Sequence, residues 1–139
     1  SFFIWAKRDP IDAPLEKIQI IKGWTENGDI HEKVMDIACS NGPVNEETGF
    51  CKKTEAVVDL NNCSISENIG SEEIKTQWSD LNYNQNQNAF YYIRVIQNPT
   101  CRWSTYDSLR IGKEAPKNFA STVNEMAWSS PIWISKNLQ

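Results

Sequence analysis

LEKIQIIKGW (Leu15–Trp24), TENGD (Thr25–Asp29) and IHEKVMDIAC (Ile30–Cys39) follow one another without a break. The first run is β-branched and partly alternating, which is strand chemistry. Asn27-Gly28 supplies the positive φ angles of a tight hairpin turn. The third run alternates cleanly. His31, Lys33, Met35, Ile37 and Cys39 fall on one face and Glu32, Val34, Asp36 and Ala38 on the other. Two strands joined by Asn-Gly make an antiparallel hairpin, and the rest of the chain has to build on it.

Working outward, AFYYIRVIQ (Ala89–Gln97) has the strongest strand composition in the sequence. It is apolar on both faces, as expected for a strand covered on each side. Phe2–Ala6 and Ala56–Leu60 read as short strands, and Trp128–Ile134 as the last one. Asp9-Pro10 and Ala13-Pro14 bracket a turn, because proline pushes its predecessor out of helical conformation. Residues 40–55 and 82–88 are polar loop sequence. Ser71, followed by Glu72 and Glu73, resembles a capped helix start, with Ile74 and Trp78 four apart and a fade near Asp80. Ser104 and Asp107 have capping-box spacing for a second short helix that Gly112 could end. About six strands and one or two short helical insertions predict a mainly β fold, an antiparallel β-sandwich of immunoglobulin or fibronectin III-like type.

With 139 residues the chain has room for one domain, 1–139. Forty per cent of residues are hydrophobic and 23% charged, which is ordinary globular usage. The mean hydropathy of -0.55 marks a polar surface. A net charge of -4 and a pI near 5.0 lack the basic stripe of a nucleic-acid binder. No apolar run reaches the length of a membrane span. The chain opens SFFIWAKRDP, apolar at once, with no signal-peptide pattern. That start is expected of a segment cut from a longer protein.

Cys39, Cys51, Cys63 and Cys101 are 12, 12 and 38 residues apart. Zinc sites pair ligands more tightly, as C-x(2–4)-C, so two disulfides are the better reading, against four reduced core thiols. Cys39–Cys51 closes a loop rich in Gly, Pro and Asn, whereas Cys51–Cys63 would span an extended strand. The favoured pairing is Cys39–Cys51 with Cys63–Cys101. Disulfides place the protein in an oxidising compartment, periplasmic or extracellular.

The chemistry-bearing residues are sparse. His31 is the single histidine, so it has no partner for a metal pair. Catalysis with Asp36 or Asp107 would need them to converge, and strand alternation separates His31 from Asp36. Asp80, Asn82, Asn84 and Asn86 alternate like half a calcium loop, but Gln85 and Tyr91 stand where Gly and Glu belong. Asn62-Cys63-Ser64 matches the short N-glycosylation triplet. Neither a catalytic nor a metal site is assigned, and no cofactor is expected in this chain. Arg102, Trp103, Tyr106 and Asp107 form a candidate contact patch, since Trp, Tyr and Arg dominate interface hot spots. The plainer expectation has Trp103 packed under the loop and Arg102 paired with Asp107. Phe3 and Trp5 share one face of the first strand, with Phe2 and Ile4 on the other. Phe3 and Trp5 therefore join the candidate contact patch.

WAKRDP with DAPLEKIQIIKGW, HEKVMDIACS, AFYYIRVIQNPTCRWSTYDSLR and AWSSPIW, in that order, resemble the C-terminal portion of the bacterial family catalogued as domain of unknown function 3604. The resemblance runs from about Phe2 to Ile134. It implies a long exported parent whose preceding region is similar to metal-dependent phosphoesterases of the polymerase-and-histidinol-phosphatase type. It implies for this chain a non-catalytic accessory domain whose partner is the remainder of its own polypeptide, with self-association expected of the isolated domain. Two places depart from the family pattern. An acidic D-x-D-F-D-like stretch has become Leu81-Asn-Tyr-Asn84, and a Glu-Arg pair has become Glu125-Met126. A free-standing secreted module binding a glycan or protein through exposed Trp and Tyr is the alternative, and a small hydrolase built on His31 is a third.

Overall fold

The computed structural model describes residues 1–114 and 117–135. Its framework is the hairpin of β2 (Leu15–Glu26) and β3 (Asp29–Cys39). Asn27 and Gly28 both have positive φ at the turn. β7 (Ala89–Gln97) pairs with the other edge of β2, so it lies inside a sheet. The free edge of β7 is shared end to end by β10 (Met126–Trp128) and β11 (Ile132–Ile134). A second, smaller sheet pairs β1 (Phe2–Lys7) with β6 (Glu73–Trp78). All these pairings are antiparallel. The fold is mainly β, and its two main sheets pack as a β-sandwich.

Between the layers, Ile18, Ile74, Ala6 and Leu15 form one buried cluster, and Ile20, Ala89 and Tyr91 a second. Two short strand pairs stay outside this core or at its end: β4 (Val58–Asp59) with β5 (Ser64–Ile65), and β8 (Thr100–Cys101) with β9 (Thr122–Val123). The bridges join Cys39 to Cys51 and Cys63 to Cys101, the pairing that loop closure favours. Asn98 is buried where several segments meet. Its N–H donates to Pro14 C=O (2.8 Å), its Nδ2 to Ile69 C=O, and its Oδ1 accepts from Thr54 Oγ1 (2.6 Å). Gly70 has φ +109° beside it, and a Cβ there would come within 2.6 Å of Asn98 Nδ2.

Several expectations are corrected. Residues 71–80 are not a helix; Glu73–Trp78 is strand β6. Ile74 and Trp78 four apart satisfy either period, but Glu73, Lys75 and Gln77 between them are exposed and polar, which is a two-residue alternation. The alternation of β3 breaks at Ile37. Gln19 pairs with Asp36 and Ile18 with Ala38, so a bulge turns Ala38 to the same face as Ile18. The last strand is divided at Ser129–Pro131. There Ser129 Oγ accepts the Ile93 N–H (2.9 Å), and Pro131 has no N–H to continue the ladder. The helix α1 (Trp103–Ile111) ends at Gly112 in left-handed conformation, as expected. Its N-cap, however, is Arg102 without a side-chain cap bond, and Ser104 is already buried inside it.

Candidate functional site

β1 and β6 face each other in a register that sets Trp5 opposite Lys75 and Lys7 opposite Glu73. Phe2 and Ile4 turn inward, where Phe2 packs on Trp78 and Tyr91. Phe3 and Trp5 turn outward and remain 83% and 68% exposed. Trp5 is nevertheless held in place. Its indole N–H donates to Glu73 Oε2 (3.0 Å), and Lys75 Nζ sits 4.6 Å from the ring centroid while pairing with Glu73 (2.9 Å). Hydrogen bonds from Lys75 and then Trp5 hold the Glu73 carboxyl below its usual range. The exposed face of this small sheet therefore carries a fixed aromatic ring, set by cross-strand neighbours.

Beside β1 runs a groove of about 590 Å³. β1 forms one wall, and Ile93, Val95, Ala127 and Ile132 are among the residues of the other. Trp128 at its rim is 60% exposed. On the opposite face of the large sheet, Trp133 pairs with Phe90 across β11 and β7, ring centroids 5.0 Å apart. Phe90 stacks in turn on Tyr92 at 6.3 Å and 11°. Gly23 makes room for this strip, because a Cβ there would lie 2.3 Å from Phe90 Cζ. Sequence reasoning treated Trp128 and Trp133 only as strand residues. Two tryptophans flanking Ser-Ser-Pro, in a stretch that a proline keeps at a sheet edge, were the signal available.

The other half of the expected contact patch lies on α1 and its cap. Trp103 is 70% exposed, so it does not pack under the loop. Arg102 lies over the Phe119 ring, 5.5 Å from its centroid, and Asp107 approaches Arg110 at 3.9 Å. The Arg102–Asp107 pair is thus replaced by two other contacts. The one-turn rise of the helix puts Asp107 nearest the residue three further on. Tyr106 is exposed on the same helix. Phe3 and Trp5 have their own neighbours on β6, so the patch is two surfaces on separate elements.

His31 stacks on Trp24 at 5.2 Å and 19°. Asp36 is five residues along the same strand, about 17 Å away at strand rise. It is committed to Gln19 Nε2 (2.6 Å), the Cys51 N–H (2.8 Å) and Lys17 (3.0 Å). The histidine and the two aspartates considered with it are not brought together. Among the described residues no group of three His, Cys, Asp or Glu side chains is placed to hold a metal ion.

The start of the polar loop has a structural occupation instead. Lys22 is buried on the inner face between Trp24 and Tyr91, with its Nζ 5.1 Å and 5.7 Å from their centroids. It pairs with Asp80, which also accepts the Tyr91 hydroxyl (2.7 Å) and the Asn82 N–H (2.8 Å). Burial alone would raise the Asp80 carboxyl, but the bonds from Lys22, Tyr91 and Asn82 together bring it below the usual range. Burial, reinforced by the Asp80 hydrogen bond, pushes the Tyr91 phenol well above its ordinary value. Asn62 is exposed, and its Oδ1 accepts the Ser64 N–H (2.8 Å) beside the bridged Cys63.

The family model described as Protein of unknown function (DUF3604) matches residues 1–136. The chain belongs to this family. No curated protein and no solved structure gives a significant match. The DUF3604 match covers every strand of the sandwich, so the groove, the aromatic strip and the two bridges all belong to the family segment. No helix among the described residues is long and apolar enough to cross a membrane.

Proposed function

We propose that this DUF3604 chain is a non-catalytic accessory β-domain that packs on the remainder of its own polypeptide, the catalytic region of an exported metal-dependent hydrolase. The observation that carries this reading is the exposure of Phe3, Trp5, Trp128 and Ile132 around one groove. Contiguous exposed apolar surface of this kind marks interaction sites. The parent's character rests on the family resemblance alone. The two disulfides fit an oxidising compartment, periplasmic or extracellular.

The test begins with the polypeptide that carries this sequence in the cell. A region rich in His and Asp should precede it, and that region, produced separately, should bind the 139-residue chain and hold the manganese- or zinc-dependent phosphoesterase activity. Absence of such a region, or absence of binding, defeats the reading. A second reading, a secreted module for a glycan or protein ligand, is favoured by the Trp133–Phe90–Tyr92 strip, because flat rings in a row suit sugar faces. Tryptophan fluorescence titrated with soluble polysaccharides, in the native chain and in Trp133→Ala, separates the two.

A further inference from the structure

We propose that the groove beside β1 is an unfilled strand position, and that one extended segment of the remainder of the polypeptide adds to β1 there as a third strand of the small sheet. This rests on the accessory reading and specifies how the contact is made. The phase of the β1–β6 ladder is set by Arg8, whose N–H donates to Glu72 C=O (3.0 Å). Hydrogen-bonded pairs in an antiparallel ladder recur every second residue. Phe2, Ile4 and Ala6 therefore bond toward β6, and Phe3, Trp5 and Lys7 direct their N–H and C=O groups toward the free edge. Among the described residues no strand pairs with that edge.

The space beside the edge is the groove of about 590 Å³. β6 packs over β3 and β2, so the two-stranded layer stops short of the far side of the large sheet. Neighbouring strands lie about 4.8 Å apart and stacked sheets about 10 Å apart. A strand added at that spacing would lie over Ala127 and Ile132, which with Ile93 and Val95 line the groove. Its inward side chains would complete the apolar layer, and its backbone would satisfy the edge, which is the strand-addition mode of recognition.

The end of the groove supplies a second, independent observation. A smaller cavity of about 280 Å³ continues from it, sharing Lys7, Val95 and Ala127. Arg8 and Gln97 line this cavity together with Asp9, Asp12 and Glu125, and the Arg8 guanidinium pairs with Glu72 (3.1 Å) and donates to Pro10 C=O (3.2 Å). Arg8 Nε and Gln97 Nε2 are buried there without a hydrogen-bond acceptor among the described residues. Buried donors normally find partners. A backbone carbonyl of the incoming segment supplies the acceptor. The occupant is thus a single extended segment, apolar at alternate positions, with an acceptor at the Arg8 end.

Amide hydrogen exchange decides it, comparing the 139-residue chain with the same residues inside the longer native polypeptide. The Phe3, Trp5 and Lys7 amides should exchange freely in the former and slow by about 100-fold in the latter, as for a ladder amide. Phe3→Pro removes one edge N–H without touching a β6 bond, and should weaken association of the separately produced regions about tenfold, the worth of one backbone hydrogen bond. Phe3→Ala keeps the N–H and should cost much less. Ala127→Trp, which fills the groove from β10, should abolish the protection and covers the case in which the proline variant does not fold. If the three amides stay fast while another surface becomes covered, the strand position is wrong and the accessory reading survives. If no surface of this chain becomes covered, or the native polypeptide adds no further region, both fall.

Discussion

The two long sides of the sandwich are finished differently. On the side of β3, β6 packs against β3. Ile74 of β6 lies in one cluster with Ile18, and Ile37 and Ala38 pack against it. The Cys39–Cys51 bridge closes the following loop, and the buried Asp36 ties that loop to the sheet through the Cys51 N–H. On the side of β1, the small sheet ends in an unpaired edge beside a groove, and Phe3, Trp5, Trp128 and Trp133 stay in solvent. The contrast separates two uses of the same composition. Apolar residues that meet a facing strand make core, and identical residues one strand further out stay exposed.

The covalently bridged part should respond most strongly to mutation. Loss of the Cys63–Cys101 bridge, by Cys63→Ser with Cys101→Ser, should lower stability by about 4 kcal/mol, and loss of the shorter Cys39–Cys51 loop by about 3 kcal/mol. Denaturant unfolding of the two double mutants tests that order, and a larger effect from the shorter loop would contradict it.

Next comes the polar network at the other end of the inner face. Asp80→Asn leaves the buried Lys22 without its counter-charge and should cost about 3 kcal/mol. Lys22→Met combined with Asp80→Asn should recover most of that loss. Because the folded Asp80 carboxyl lies below its ordinary value of 3.8, its contribution is fully present above that value. It is lost as pH falls below 3.8 through the folded value. The Asp80→Asn protein should therefore lose less stability than the native chain over that acid range. Equal slopes would remove Asp80 from the acid response.

Asn98→Ala strips Thr54 and Ile69 of a buried partner and should cost about 2 kcal/mol in the same denaturant assay. The open side should be nearly silent in stability. Phe3→Ala and Trp133→Ala should each change it by less than about 0.5 kcal/mol. Light scattering should nevertheless show less self-association in Phe3→Ala than in the native chain, and equal self-association would count against Phe3 as part of the sticky surface. His31→Ala should be silent in both respects, and phosphodiester or phosphomonoester turnover by this chain that the substitution abolishes would revive the hydrolase reading.

Much of the fold was legible because the decisive signals are local. Asn27-Gly28 fixes a hairpin through its own φ preferences, and Ala89–Gln97 declares a central strand by having no polar face. Gly112 ends its helix because only a residue without Cβ takes the left-handed conformation freely. The bridge pairing was favoured because Cys39–Cys51 closes a loop rich in Gly, Pro and Asn while Cys51–Cys63 would span an extended strand. The 73–78 segment was misread because Ile74 and Trp78 fit a helical spacing as well as a strand face, and only pairing with β1 selects between them. The contact patch was half legible. Phe3 and Trp5 were placed on one face by alternation alone, while Arg102 and Asp107 took partners, Phe119 and Arg110, that depend on how the helix sits.

The sequence by itself determined the hairpin, the central strand and the antiparallel class, and it favoured the bridge pairing, since these signals lie in residues close in the chain. The tertiary structure decided which edge lies beside the groove. Whether a strand such as β1 is covered depends on the number of strands in the layer above it and the width of the sheet below, and no residue of Phe2–Lys7 carries that count. The same holds for Lys22 and Asp80, 58 residues apart. Their pairing exists only because β6 delivers the loop that follows it to the inner face of β2, where a buried cation needs an anion.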